Sequence, residues 1–203
     1  MHLFLIRHAE VEPRYQQVFG GRIDMDLSPR GYDQARTLAQ HLRRLEIGAI
    51  YASPMKRVSQ TLAPLLANGA PQPVVLPDLR EVDFGDWTGL RWEEVSERFG
   101  VSAFDWLNQL ELDAIPNAES GETLRRRIEP CLRQIERDHP TQNVAIVCHG
   151  GVIRVLLARL LDLPLPKVAA FKIEYASLTQ VEINSHKTEL QLLNFTPWRE
   201  PAP

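Results

Sequence analysis

Cysteine is nearly absent from this sequence: Cys131 and Cys148 are the only two in 203 residues. Two thiols cannot build a disulfide scaffold or a Cys-only zinc site. A reducing compartment, which in a bacterium means the cytoplasm, is therefore the expectation. Long apolar runs are also missing. The run Met1–Ile6 is cut by Arg7 before it reaches the length of a secretory core, and no stretch approaches the ~20 apolar residues of a spanning helix. Nor is there an excess of one charge. Lys and Arg number 23 against 26 Asp and Glu, a net charge of −3 with His neutral. That argues against nucleic acid and against a polybasic membrane footprint, and leaves room for a local cationic pocket. No internal repeat or low-complexity segment is present.

What remains is the composition of an ordinary globular protein, 44% hydrophobic and 24% charged. The length suits one domain or a tight pair and is enough to bury a good core. Leu3–Ile6, Ala49–Ala52, Val74–Leu76 and Val144–Cys148 are short apolar runs without polar alternation, the pattern of strands covered on both faces. Helical stripes lie between them. Ser28-Pro29 and Ser53-Pro54 each read as an N-cap followed by Pro at the first helical position. Ser120 caps a long helix with Leu124, Ile128, Leu132 and Ile135 on one side. Gly150-Gly151 opens an apolar helix through Leu161, and Ser177–Ile183 and Leu190–Phe195 predict a closing hairpin or edge strands. This alternation predicts a three-layer α/β/α fold with a mostly parallel sheet of about six strands and helices on both faces. Residues 77–120, rich in Phe and Trp with two short helices near 91–99 and 103–111, read as an insertion over the active-site end of the sheet within one domain, 1–203.

Ligands of open α/β sheets bind beyond the carboxyl ends of the strands. There the sequence places Arg7-His8, then Ser53-Pro54 with Arg57 a turn later, then Glu81, then His149-Gly150-Gly151. Two guanidiniums beside helix N-termini make an anion site, and paired glycines let backbone N–H groups approach the same anion. A neutral His can attack phosphorus, a carboxylic acid can protonate the leaving oxygen, and nearby Arg charge keeps imidazole neutral. Taken singly, each residue has a plainer reading: a bonded His at a strand end, a solvated Arg, a turn-capping Glu. Cys148 reads as a core thiol, Arg125-Arg126-Arg127 as a solvated helix face, and Trp87 and Trp92 as packing. No His or Cys spacing suggests zinc, and Ser53 and Ser120 lack a nucleophile elbow.

In order along the chain, Leu5-Ile6-Arg7-His8-Ala9-Glu10, Ser53-Pro54-Met55-Lys56-Arg57 with Gln60-Thr61, Leu79-Arg80-Glu81 with Phe84-Gly85-Asp86-Trp87, and Val147-Cys148-His149-Gly150-Gly151-Val152-Ile153-Arg154 resemble the four signatures of the histidine phosphatase, or phosphoglycerate mutase-like, superfamily. The resemblance covers nearly the whole chain. It implies His8 as nucleophile, Arg7, Arg57 and His149 holding the phosphoryl group, and Glu81 as proton donor and then base for water. It implies no metal and no organic cofactor, and it adds Arg14, Gly21 and Gly150 to the substrate-binding set. The chain departs from the pattern at Ala9, Val11 and Arg14, and again at Ala118 in Pro116-Asn117-Ala118-Glu119-Ser120. The implied activity is a phosphomonoesterase acting on a small phosphorylated metabolite, similar to alpha-ribazole phosphatases and broad-specificity phosphatases. The rival readings are a phosphoglycerate mutase and a noncatalytic phosphate-binding protein on the same scaffold. The acidic balance of residues 88–120, with only Arg91 and Arg98 as basic groups, disfavours the mutase. A homodimer is also admitted.

Overall fold

Strand β1 (His2–Arg7) sends Leu3 and Leu5 into one apolar core and Phe4 and Ile6 into another. Side chains alternate across a strand, so an unbroken apolar run needs cover on both faces. The computed structural model, which describes residues 1–199, supplies that cover. With β2 (Ala49–Ala52), β3 (Val74–Val75), β4 (Asn143–Cys148), β5 (Leu178–Ile183) and β6 (Thr188–Phe195), the sheet order is β3-β2-β4-β1-β5-β6. The first four positions are mutually parallel, while β5 and β6 run antiparallel as the closing hairpin. Helices α1 (Pro29–Leu42) and α2 (Lys56–Leu66) bury Ala35, Leu38, Val58 and Leu62 on one face. The other face is covered by α3 (Trp92–Phe99), α4 (Trp106–Glu111), α5 (Gly121–Asp138) and α6 (Gly150–Leu160), through Val95, Leu107, Leu110, Leu124, Ile128, Val152 and Leu156. The result is the expected three-layer α/β/α architecture. Each fully buried aliphatic side chain contributes about 1.5–3 kcal/mol relative to exposure.

Local signals explain most element boundaries. The Ser28 hydroxyl accepts the Gly31 N–H at 2.9 Å with Pro29 at the first helical position, and the Ser120 hydroxyl accepts the Thr123 N–H at 3.1 Å. Both are N-caps that satisfy an otherwise orphaned donor. Ser53-Pro54 is different. Helix α2 begins at Lys56 behind Met55, and Ser53 lies in the turn with its hydroxyl engaged elsewhere. The third strand is also shorter than its apolar run suggests. Val74 and Val75 are 47% and 51% exposed at the sheet edge, because β3 has a single neighbour, β2.

Since β1, β2, β3 and β4 are parallel, their carboxyl ends share one edge of the sheet. Strand β5 runs the other way beside β1, so its beginning lies at that same edge. Everything described next is assembled there.

Candidate active site

Arg7 pairs in register with Cys148, and the His8 N–H donates to the Cys148 carbonyl at 3.0 Å. The next residues of the two strands, His8 and His149, therefore sit side by side with ring centroids 5.2 Å apart. Both are buried, at 4% and 0% exposure. Burial pushes both imidazoles well below their ordinary range, and the charges of Arg57 and Arg7 push the same way. Both rings are therefore neutral at pH 7, with burial rather than the arginines as the larger cause.

The hydrogen bonds assign the tautomer of His8. His8 Nδ1 lies 2.8 Å from the Ala9 carbonyl, which can only accept, so this nitrogen carries the proton. Nε2 is left with its lone pair, which receives the Arg57 Nε–H at 3.2 Å. At His149, Nε2 lies 2.7 Å from the Ser53 hydroxyl, whose oxygen also accepts the Met55 N–H at 3.4 Å. A serine oxygen can accept two hydrogen bonds and donate one, so this contact is compatible with either tautomer of His149. His149 Nδ1 is buried and without a partner.

Arg57 is locked by three bonds: Nε to His8, Nη1 to the Ile23 carbonyl and Nη2 to the Gly21 carbonyl, the last two at 2.9 Å. Its burial lowers the guanidinium pKa to about 10, still charged at pH 7. Gly21 holds its carbonyl in place at φ +46°, a left-handed backbone that suits glycine. Arg7 donates through Nη1 to the Ile173 carbonyl at 2.7 Å and stacks 4.0 Å over the Tyr175 ring, while its buried Nε is unpartnered. Glu81 accepts from the Val82 N–H at 3.0 Å and from the Gly151 N–H at 3.3 Å. A Cβ at Gly151 would stand 2.5 Å from the Glu81 carboxylate. The second glycine therefore admits Glu81 to the N-terminus of α6. The sequence pattern had suggested instead that this N–H faces the anion directly.

Arg7, His8, Gly21, Arg57, Glu81, Gly150 and Gly151 line one cavity of about 670 Å³. His149 lies behind this lining, fully buried, and Arg14 is not among the lining residues either. Arg14 lies exposed, bonded to Glu12 at 2.9 Å and stacked 4.8 Å from the Tyr15 ring, and Tyr15 faces the cavity in its place. Cys148 is buried among apolar side chains, and burial raises its thiol pKa.

Three contributors escaped the sequence reading. Arg154 also lines the cavity, one helical turn after Gly150, whose carbonyl it bonds at 3.0 Å. Helical side chains lean towards the N-terminus, which aims it there. Tyr175 arrives just before antiparallel β5. Arg127 was read as part of a solvated charge run, yet its side chain is only 14% exposed. It pairs with Glu119 through Nε and Nη2 at 2.9 and 2.7 Å, and donates to the carbonyls of Asp78, Arg80 and Glu81. It straps down the loop that presents Glu81.

Paired neutral histidines, three guanidiniums and one carboxylate at the carboxyl edge of a parallel sheet define a protein built to hold and transfer a phosphoryl group. Residues 3–196 match the histidine phosphatase superfamily (branch 1). The chain belongs to that family. It is 32% identical over 195 residues to phosphoserine phosphatase 1 of Hydrogenobacter thermophilus, covering 96% of this chain and 92% of that one. It is 30% identical over 200 residues to the adenosylcobalamin/alpha-ribazole phosphatase of Salmonella typhimurium, with 96% of each chain covered. The solved structure of a mycobacterial glucosyl-3-phosphoglycerate phosphatase with inorganic phosphate superposes with a TM-score of 0.84 at 25% identity, over 98% of this chain and 99% of the other.

Proposed function

We propose that this protein is a phosphomonoesterase that works through a phosphohistidine on His8, without a metal ion. The observation that carries the reading is the fixed lone pair of His8 Nε2, buried at the floor of a cavity with the unpartnered Arg7 Nε and His149 Nδ1 beside it. In the first step Nε2 attacks phosphorus, the ester P–O bond breaks, and Glu81 gives its proton to the leaving alkoxide. Arg7, Arg57 and His149 hold the phosphoryl oxygens as charge develops. In the second step Glu81 takes a proton from water, which attacks phosphorus and frees His8 with inorganic phosphate.

Three guanidiniums against the single carboxylate of Glu81 suit a dianionic ester, and they do the charge neutralisation that magnesium does elsewhere. One carboxylate among these side chains is also a poor oxygen set for that ion. Water, rather than a second substrate hydroxyl, resolves the intermediate in this reading, because residues 88–120 bring no basic side chain to the cavity. The two free, buried cysteines fit a reducing, cytoplasmic location. Among the described residues, no helix is long and apolar enough to cross a membrane.

Quenching the enzyme during turnover of p-nitrophenyl phosphate in EDTA should trap an acid-labile, base-stable phosphate on His8. A protein that stays unlabelled, or turns over only after Mg²⁺ or Zn²⁺ is restored, would refute the mechanism. Isomerisation of 3-phosphoglycerate with its bisphosphate primer, faster than hydrolysis, would establish the mutase instead.

A further inference from the structure

The cavity has an inner and an outer part, and their chemistry differs. At the inner end, Gly150 separates the Arg154 guanidinium from that of Arg7. A Cβ on Gly150 would lie 3.3 Å from Arg154 Nη1 and 3.5 Å from Arg7 Nε. Arg154 therefore belongs to the same anion pocket as Arg7, held by the Gly150 and Phe171 carbonyls with no carboxylate partner. Burial lowers its pKa to about 10, and it too is charged at pH 7.

The cations of the outer part are already engaged. Arg30 faces Glu10 at 3.4 Å, and Lys172 and Arg199 share Glu174 at 2.9 and 2.8 Å. Each has a carboxylate partner, and the Lys172–Arg199–Glu174 group keeps one net positive charge. The uncommitted surface there is aromatic. Phe104 is 74% exposed and stands edge-on to the half-buried Trp92 with centroids 5.3 Å apart, while Trp106 stands beside them with its ring 6.0 Å from Arg154. One exposed Phe is ordinary on a protein surface. Two indoles and a phenyl gathered on one wall of a cavity, above a charged floor, make a stacking platform for a ligand's apolar end.

Resting on the phosphatase reading, we propose that the leaving group carries a planar ring, and that Phe104 and Trp92 determine this specificity. The ester's dianion occupies the charge supplied by Arg7, Arg57 and Arg154, and its ring lies against the Trp92–Phe104 pair. An amino-acid or phosphoglycerate ester would present no ring to this pair and would gain none of that contact.

The test compares 2-phenylethyl phosphate, ethyl phosphate and O-phospho-L-serine. All three leave as primary alkoxides, so the chemical step is closely matched. The parent enzyme should show a kcat/KM for the phenylethyl ester at least about tenfold above either other ester. In Phe104→Ala and Trp92→Ala the phenylethyl-to-ethyl ratio should fall towards one. A ratio unchanged in both variants, or phosphoserine as the best of the three, would overturn the proposal while leaving the phosphatase reading intact. Equal loss on all three esters in the variants would show a merely structural role and overturn it as well. Hydrolysis of none of them, with no His8-dependent phosphate release, would sink the phosphatase reading and this proposal together.

Discussion

At the floor of the cavity the reactive side chains are buried or half-buried and tied to fixed partners, whereas the wall is made of rings held by packing. His8 leans on a backbone carbonyl, His149 on Ser53, and Arg57 on two carbonyls and His8. Each bond consumes a donor or acceptor that would otherwise be free to reorient, so one tautomer and one guanidinium plane are selected. Trp92, Phe104 and Trp106 meet other rings, Trp92 and Trp106 also pack against the apolar core, and Trp106 stands 6.0 Å from Arg154. Such contacts set a shape and tolerate small shifts. On the proposed reading, the floor fixes the reaction and the wall selects what is brought to it. Changes at the floor should therefore damage all esters, and changes at the wall should re-rank them.

The largest effect is expected from His8→Ala, which should abolish both turnover and phosphate labelling while far-ultraviolet circular dichroism stays parental. Near-parental hydrolysis would remove the nucleophile from the floor. Next comes Arg57→Ala, with a loss on the order of 10²–10³-fold in kcat. Lysine at this position should recover only part, because an ammonium cannot reach His8 and the Gly21 and Ile23 carbonyls in one plane. Full rescue by Arg57→Lys would reduce Arg57 to a point charge.

Glu81→Gln should divide substrates by leaving group. An alkyl ester needs the proton that Gln cannot give in this role, while nitrophenolate leaves with little help. Rapid mixing with p-nitrophenyl phosphate should give a burst near one equivalent followed by a slow steady state. Equal losses on alkyl and aryl esters without a burst would place the acid elsewhere, with Asp83 as the first candidate. Arg127→Met should show the same alkyl-selective pattern more weakly, on the order of tenfold, as expected for an outer partner that positions a reacting group. It should also lower Tm, because the Glu119 carboxylate, 6% exposed, keeps only the Arg22 guanidinium, 3.9 Å away, as counter-ion. A Tm loss with an unchanged alkyl-to-aryl ratio would confine Arg127 to stability.

The smallest effect concerns pH. Both histidines have folded pKa values below the ordinary 6.5. Between those lowered values and 6.5 the unfolded chain binds more protons than the folded one, so stability is full above 6.5 and declines as pH falls through that window. Tm should drop on going from pH 7 to pH 5, with a gentler slope in His8→Ala. A parental slope in that variant would mean that His8 titrates normally.

The floor was legible because its residues sit next to strand ends that the apolar runs announce. Arg7-His8 follows Leu3–Ile6, and His149 follows Val144–Cys148, so parallel pairing alone brings the two histidines to one edge. Ser53 was visible and misread. Ser-Pro is a helix-start signal, and the hydroxyl that would have capped α2 is bonded instead to a ring 96 residues away. Arg127 was misread for a similar reason. Three consecutive arginines look solvated on a helix, but they point in different directions from its axis, and only Arg127 turns under the loop of residues 78–81. Arg14 went the other way, left outside the cavity by its bond to Glu12.

By itself the sequence determined the layered α/β architecture, the edge on which the chemistry gathers, and the residue types that carry it, because apolar periodicity and strand-end position are local properties of the chain. Only the tertiary structure decided which nitrogen of His8 holds the proton, that Gly151 makes room for the Glu81 carboxylate, and that Arg154 and Tyr175 join the pocket. These depend on hydrogen bonds and close approaches between segments far apart along the chain, whose geometry exists only once the sheet has set their separation.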